Sequence, residues 1–132
     1  MIADNNELSQ TVAKVIFEKL GCKVDFASNS LILLNHLNRK TYDIIFMDLK
    51  FPPTDGFEMA GVLRMKEFKM PVIAITSTTL SKENLKHIAD SGIDGYVSKP
   101  LNPDSITDIL SRYLIPKDNK LVKRDNRKNK ND

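Results

Sequence analysis

Short apolar runs alternate with segments of helical periodicity along this chain up to residue 114, and this alternation restricts the fold most strongly. The clearest runs are residues 43–48 and 72–76. Each is followed by a segment whose apolar residues recur at helical spacing. Such alternation is typical of βα units, in which helices join parallel strands and cover both faces of one sheet. The sequence therefore predicts an α/β protein built from five βα units.

Turn residues and helix-capping residues set the boundaries of these elements. Asn102 is a good N-cap, Pro103 suits a first helical turn, and Gly21 suits the end of the first helix. We expect strands at residues 1–3, 22–27, 43–48, 72–76 and 96–98. We expect helices to begin near residues 7, 30, 57, 82 and 103. The first helix is expected to bury one apolar stripe formed by Leu8, Val12, Val15, Ile16 and Leu20.

Basic residues concentrate at the end of the chain. Residues 115–132 contain seven Lys or Arg against three Asp, with few apolar residues. This composition favours disorder, because such a segment cannot bury enough apolar surface to fold. We therefore expect a single domain over residues 1–114, followed by a basic, disordered tail over residues 115–132. The tail has no interleaved aromatic side chains, so nucleic-acid binding is not expected even though basic segments contact phosphates.

Cysteine usage and hydropathy indicate the compartment. Cys22 is the single cysteine of the sequence, so no internal disulfide can form. No apolar run is long enough to span a bilayer, and the start of the chain lacks the pattern of a secretion signal. We expect a cytoplasmic protein with no membrane insertion.

Four polar residues stand where predicted strands end, namely Asp4, Asp48, Thr76 and Lys99. The carboxyl ends of parallel strands open into one crevice, which is where α/β sheets bind ligands. A carboxylate there can act as a nucleophile toward phosphorus, provided that a divalent cation neutralises the phosphoryl oxygens. A lysine supplies a further positive charge and a threonine a hydroxyl donor. The set predicts phosphoryl chemistry at this edge of the sheet.

Several motifs of the chain match one known family. Asp48 is followed by prolines and then by Asp55-Gly56, and Ser98-Lys99-Pro100 ends the fifth strand. Together with Thr76, Tyr96 and the opening stretch of residues 3–10, these motifs make residues 2–114 resemble the receiver domains of two-component response regulators, especially those of hybrid sensor kinases.

The resemblance implies a doubly wound (βα)5 flavodoxin-like fold, with a parallel sheet in the order 2-1-3-4-5. It also implies a phosphoacceptor signalling domain that is not an enzyme. Asp48 would accept the phosphoryl group, and Thr76, Tyr96 and Lys99 would switch the surface formed by helix 4, strand 5 and helix 5. The peptide bond before Pro100 is expected to be cis.

The same resemblance implies a cofactor and partners. The cofactor is Mg²⁺ (or Mn²⁺), with four residues as the expected ligands: Asp4, Asn5, Asp48 and the backbone carbonyl of Lys50. The phosphoryl donor would be a histidine kinase or a histidine phosphotransfer protein that docks near helix 1. A homodimer through helix 4, strand 5 and helix 5 is a further expectation.

Asn5 departs from the family pattern, which has two adjacent acidic residues after the first strand. The neutral amide removes one negative charge from the expected metal site, so we predict weaker metal binding than is usual in the family. One alternative is therefore a pseudo-receiver that acts only as an interaction module. A second alternative is a small α/β enzyme acting on phosphate esters, although Lys50 stands where such an enzyme would have a second catalytic Asp. For Lys50 itself, a solvated loop lysine is the favoured interpretation.

Overall fold

The computed structural model describes residues 1–77 and 80–114 of the chain. Five strands and five helices alternate within these residues. The strands are β1 (Ile2–Ala3), β2 (Phe26–Ala27), β3 (Ile45–Asp48), β4 (Val72–Thr76) and β5 (Gly95–Ser98). The helices are α1 (Glu7–Lys19), α2 (Ser30–Arg39), α3 (Gly56–Met65), α4 (Lys82–Asp90) and α5 (Pro103–Tyr113). The predicted basic tail, residues 115–132, lies outside the described residues.

The strands form one parallel sheet in the order β2-β1-β3-β4-β5, which confirms the predicted fold and strand order. Asp48 of β3 pairs with Ile75 of β4, and Thr76 of β4 pairs with Ser98 of β5. This register places the carboxyl ends of the three strands at one edge of the sheet. The residues that follow each strand therefore meet there.

Residues of β3 and β4 point alternately to the two faces of the sheet and are buried on both. On one face Met47 packs with the inner residues of α2, α3 and α4. On the other face Phe46 packs with those of α1 and α5, and its ring meets Phe17 edge to face with centroids 4.9 Å apart. Burial on both faces fixes the central strands, because each buried large side chain contributes about 1.5–3 kcal/mol.

A capping side chain begins every helix in the described part of the chain. In each case the side-chain oxygen accepts a hydrogen bond from the backbone N–H three residues later. The caps are Asn6, Asn29, Asp55, Ser81 and Asn102. Each such cap is worth about 1 kcal/mol, so these residues define where the helices start after the loops of the site.

Some predicted boundaries are wrong. The predicted strand over residues 22–27 is reduced to Phe26–Ala27, because Cys22 and Val24 pack against the core without joining the ladder. The third strand begins at Ile45 rather than at residue 43. The remaining strand and helix boundaries differ from prediction by one or two residues, as is usual for element ends.

The predicted buried stripe of α1 is also wrong, except for Ile16, which packs against the core. Leu8 is 74% exposed, and Val12 and Val15 are exposed as well. Helix α1 instead buries Ala13 and Phe17, since the small Ala13 lets the helix approach the sheet while Phe17 fills the space beside Phe46. The more apolar stripe of α1 is thus left on the surface.

No helix among the described residues is long and apolar enough to cross a membrane. The expected cytoplasmic location stays a prediction.

Candidate functional site

Asp48 ends β3 at the rim of the crevice, where its side chain is mostly buried but still reachable from solvent. Its Oδ1 accepts a hydrogen bond from the backbone N–H of Lys50 at 2.9 Å. Its Oδ2 accepts a hydrogen bond from Nζ of Lys99 at 3.0 Å. The carboxylate is thus held by one donor on each oxygen, in a fixed orientation at the tip of a rigid strand.

Lys99 links the two acidic residues of the crevice. Its Nζ lies 3.0 Å from Oδ2 of Asp48 and 3.6 Å from Oδ2 of Asp4. Burial lowers the pKa of Lys99, but its hydrogen bond to Asp48 and the charges of Asp48 and Asp4 outweigh that effect and raise the pKa above its ordinary value. Lys99 therefore stays protonated and neutralises part of the negative charge of the pair.

Asp4 is the most buried ionisable side chain of the site, at 2% exposure. Burial raises the pKa of Asp4, and the nearby charge of Asp48 acts in the same direction. The N–H of Asn6, which donates to Oδ1 of Asp4 at 2.9 Å, and the ammonium of Lys99 oppose the rise without cancelling it. A buried carboxylate whose charge is costly gains from a nearby cation, and Lys99 is the cation that the structure places beside Asp4.

The oxygen atoms of the crevice suit Mg²⁺. Two carboxylates, Asp4 and Asp48, lie at one rim with Lys99 between them. Mg²⁺ prefers oxygen ligands, keeps several waters, and is commonly held by one or two carboxylates together with phosphate oxygens. Among residues 1–77 and 80–114 there is no cluster of three or more His, Cys, Asp or Glu that would form a stronger site. Asn5 lies exposed in the loop after β1, where only its neutral amide oxygen is available.

Thr76 and Tyr96 occupy different environments beside this rim. Thr76 ends β4 and is 3% exposed, and its backbone carbonyl accepts the N–H of Lys99 at 2.7 Å. Tyr96 lies two residues before Ser98 on the edge strand β5 and is 46% exposed. The structure thus brings Asp4, Asp48 and Lys99 into direct contact, joins Thr76 to them through the backbone, and leaves the ring of Tyr96 outside. The peptide bond between Lys99 and Pro100 is cis.

Several residues that shape the site were not predicted as site residues, although some lie in the motifs of the resemblance. Ser9 lies 3.4 Å from Nζ of Lys99, and the side chain of Gln10 donates to the backbone carbonyl of Asp4. Phe51 is fully buried, and the Pro52–Pro53 bond is cis. A helical wheel of α1 places Ser9 and Gln10 on the side facing the strand tips once Ala13 and Phe17 are taken as the buried residues. Ser9 and Gln10 were missed because a different face of α1 was predicted to be buried.

Known proteins share the fold of this chain. Residues 1–111 match the response regulator receiver domain family. The chain is 30% identical over 120 residues to the hybrid signal transduction histidine kinase L of Dictyostelium discoideum, covering 86% of this chain and 7% of that protein. The chain thus spans a small part of that relative's length.

Solved structures show the same fold. The receiver domain of sensor histidine kinase PA1611 from Pseudomonas aeruginosa PAO1, with a magnesium ion in its active-site cleft, is 26% identical. Its TM-score is 0.75, with 85% of this chain and 93% of that chain covered. The receiver domain of Ssk1 from Saccharomyces cerevisiae, crystallised with the histidine phosphotransfer protein Ypd1, has a TM-score of 0.76 at 22% identity, covering 85% of each chain. At 22% identity, the similarity to the Ssk1 receiver domain shows a shared fold and no more.

The chain belongs to the response regulator receiver domain family, which confirms the resemblance drawn from its motifs. Receiver domains of this family are signalling domains of two-component systems.

Proposed function

We propose that residues 1–114 form a receiver that takes a phosphoryl group onto Asp48 from a phosphohistidine donor. The observation that carries this proposal is the position of Lys99, whose Nζ lies 3.0 Å from Asp48 and 3.6 Å from Asp4 at the tips of parallel strands. A surface Asp at a strand end has no such partners. Here a nucleophile, a second acid and a fixed cation lie together.

A carboxylate oxygen of Asp48 attacks the phosphorus atom and forms an acyl phosphate. The P–N bond of the donor breaks, and its electron pair stays on the imidazole nitrogen of the donor histidine, which then takes up a proton. Lys99 is placed to pair with the negative charge that the phosphoryl group brings to this carboxylate. Thr76, at the next strand tip, supplies a hydroxyl donor for a phosphoryl oxygen.

The proposed cofactor is Mg²⁺ (or Mn²⁺), held by Asp4, Asp48, the carbonyl of Lys50 and the amide oxygen of Asn5. When bound, it supplies positive charge that screens the phosphoryl oxygens from the two carboxylates. The chain's own contribution is orientation, since Lys50 N–H and Lys99 fix the Asp48 carboxylate before the donor arrives.

Phosphorylation adds about −1.5 to −2 charges at Asp48, and we propose that this charge draws Lys99 and Thr76 toward the phosphoryl group. Tyr96 then turns inward from its exposed position. A groove of about 550 Å³ between α4, β5 and α5, lined by Leu85, Ile88, Tyr96 and Ile109 among others, is the surface that changes. We also propose that two copies of the chain form a homodimer through this surface.

Beryllofluoride, which mimics an aspartyl phosphate, tests this switch directly. With Mg²⁺ present, amide signals of Thr76, Tyr96 and Lys99 should shift in a two-dimensional NMR spectrum. The shifts should be absent in an Asp48→Asn variant, which retains the shape of the side chain. Shifts that persist in that variant would show that the mimic binds elsewhere, and the switch proposal would fail.

The exposed stripe of α1 supports the docking of the donor on this helix. Leu8 and Val12 line an apolar groove of about 360 Å³ together with Pro100 and Leu101, directly beside Asp4 and Lys99. Exposed apolar patches next to a functional site are typical of interaction surfaces. A partner helix that covers this groove would bring its histidine to the rim of the crevice.

We expect Leu8→Asp to slow transfer from a phosphorylated histidine phosphotransfer protein at least tenfold, because it places a charge in the apolar contact. Phosphorylation by acetyl phosphate should stay unchanged, since the Leu8 side chain is 74% exposed and offers no polar group to Asp48 or Lys99. Leu31→Asp is the matched control, because Leu31 is similarly exposed, at 68%, but lies on α2. Equal slowing by both substitutions would exclude α1 as the specific docking surface. Transfer rates at limiting donor concentration measure the difference.

Asn5 supports a second function, the pseudo-receiver that binds a partner without phosphorylation. We expect Asn5→Asp to raise Mg²⁺ affinity at least tenfold, since one unit charge at roughly 4 Å is worth about 1 kcal/mol even in water and the two charges of Mg²⁺ double that energy. Chemical-shift titration with MgCl2 measures the affinity of both proteins.

Phosphorylation of the wild type and of the Asn5→Asp variant distinguishes the two proposed functions. A wild-type chain that accepts phosphate at millimolar Mg²⁺ is a working receiver with a weakened metal site. If only the Asn5→Asp variant accepts phosphate, the chain is a pseudo-receiver in which the missing carboxylate is limiting. Asn6→Asp is the matched control, because it adds the same charge one residue further along while keeping a side-chain oxygen that can cap α1.

A further inference from the structure

We propose that Gln10 is a positioning residue for the metal-binding loop, an inference that rests on the proposed metal site of Asp4, Asn5 and Asp48. The side-chain Nε2 of Gln10 donates a hydrogen bond to the backbone carbonyl of Asp4. Gln10 lies in α1 and is half-buried, so its side chain reaches back from the helix to the strand tip. This contact ties the loop between β1 and α1 to the helix that follows it.

The carbonyl of Asp4 lies where the sheet ladder ends. The N–H of Asp4 still donates to the carbonyl of Ala27 at 3.0 Å, but β1 itself stops at Ala3. Gln10 therefore takes the place of a neighbouring strand as donor to this carbonyl. A backbone group at a strand end that would otherwise depend on solvent is fixed by a side chain.

Two further hydrogen bonds hold the same loop. Oδ1 of Asp4 accepts the N–H of Asn6 at 2.9 Å, and Oδ1 of Asn6 accepts the N–H of Ser9 at 2.8 Å. Asn5 lies between these anchored residues. With Gln10 in place, the backbone on both sides of Asn5 is held, and the amide oxygen of Asn5 is presented from a fixed loop.

The neutral side chain of Asn5 makes this orientation important. Mg²⁺ demands near-octahedral geometry, and an amide oxygen attracts it less than a carboxylate does. Affinity then depends more strongly on how well the ligands are oriented in advance. Hydrogen bonds that orient metal ligands from outside the ligand set are typically worth about 10- to 100-fold in metal affinity. We expect Gln10 to act at the lower end of that range, because its contact is to the backbone of one ligand.

Two substitutions separate the hydrogen bond of Gln10 from its packing. Gln10→Met keeps a side chain of similar length but removes the donor, whereas Gln10→Ala removes both. Thr11→Ala is the control, because Thr11 is the next residue on α1 and its hydroxyl donates to the carbonyl of Glu7 within the helix. Urea unfolding of each variant checks that the fold persists.

The measurement is a titration of the full chain with MgCl2, without any phosphoryl donor, followed through the amide signals of Asn5, Asn6 and Lys50. We expect both Gln10 variants to bind Mg²⁺ about tenfold more weakly and Thr11→Ala to match the wild type. Acetyl-phosphate labelling should then need more Mg²⁺ for half-maximal rate while reaching the wild-type rate at saturation.

Two results would overturn the role of Gln10 alone. Wild-type affinity in Gln10→Met would show that the donor does not matter, even if Gln10→Ala binds weakly through lost packing. A lower labelling rate at saturating Mg²⁺ with unchanged affinity would show that Gln10 acts on another step. If the wild-type chain itself gave no Mg²⁺-dependent shifts at these amides, the proposed metal site would fail, and the role of Gln10 with it.

Discussion

Gly56→Ala should destabilise the domain by about 1–3 kcal/mol and slow phosphorylation of Asp48. A Cβ atom at Gly56 would lie 2.9 Å from the carbonyl oxygen of Asp48 and 2.9 Å from Cα of Leu49. Both atoms belong to the backbone, so no side-chain rotation relieves the overlap. The N–H of Gly56 also donates to the carbonyl of Leu49 at 2.8 Å, which holds the start of α3 against the strand tip. Any relief of the clash must therefore move the backbone that carries the phosphoacceptor.

Gly61→Ala is the matched control, because it makes the same change in the same helix. A Cβ atom at Gly61 would have nothing within 4 Å. Alanine is the better helix former by about 1 kcal/mol, so this variant should be more stable than the wild type. Urea unfolding measures the loss of stability in Gly56→Ala and the gain in Gly61→Ala. Labelling with acetyl phosphate measures the rate at which Asp48 is phosphorylated. Equal stability of the two variants would show that the contact between α3 and the strand tip is loose, contrary to the structure.

Lys99→Met should change Mg²⁺ binding and phosphoryl binding in opposite directions. Without the ammonium, Asp4 and Asp48 lose the cation that lies 3.6 Å and 3.0 Å from them. Mg²⁺ then becomes the main source of positive charge and should bind more tightly. The phosphorylated state loses the lysine that pairs with it, so beryllofluoride should bind at least tenfold more weakly, consistent with about 1.5–3 kcal/mol for a hydrogen bond to a charged group. Titrations with MgCl2 and with beryllofluoride measure the two effects.

The same variant should be less stable in metal-free buffer at neutral pH, by about 1–3 kcal/mol, because it leaves buried acceptors without their donor. Lys40→Met is the control. Lys40 forms an ion pair with Asp25 at a similar distance of 2.9 Å, but its side chain is 63% exposed. Such surface pairs are worth about 0–1 kcal/mol. Weaker Mg²⁺ binding in Lys99→Met would contradict the account, since it would mean that Lys99 supports the metal ligands rather than neutralising them.

The strands that end at the site were accessible from the sequence because strand ends carry their own signals, whereas the strand order was implied by the resemblance to receiver domains. Asp48 and Thr76 follow apolar runs that are too short for helices. In a parallel sheet, the carboxyl ends of all strands lie at the same edge. The cap Asn102 was accessible for a similar reason, since capping chemistry is local. Local signals thus defined the elements and the edge at which the site lies.

The side of α1 that faces the sheet was not accessible in this way. Helical periodicity favours the stripe of Leu8, Val12 and Val15, yet the sheet selects Ala13 and Phe17 because their shapes fit around Phe46. Hydrophobicity alone cannot distinguish an apolar face that packs on the core from one that is kept for a partner. For the same reason the contact of Gln10 with Asp4 was not predicted, because it depends on which face of α1 packs against the sheet.

The resemblance gave Tyr96 a switching role, but hydrophobicity alone does not show whether its ring is exposed or buried. Tyr96 lies on the edge strand β5, where one face opens onto the groove between α4 and α5. Its exposure follows from this position at the edge rather than from its hydrophobicity.

The intact mass of the full chain after incubation with acetyl phosphate tests the central claim most directly. Four samples suffice: the wild type with Mg²⁺, the wild type with EDTA, and the Asp48→Asn variant under both conditions. We expect the added mass of one phosphoryl group in the wild type with Mg²⁺ and in no other sample. The same added mass in Asp48→Asn, or none in a folded wild-type chain at saturating Mg²⁺, would contradict the assignment of Asp48 as the phosphoacceptor of a working receiver.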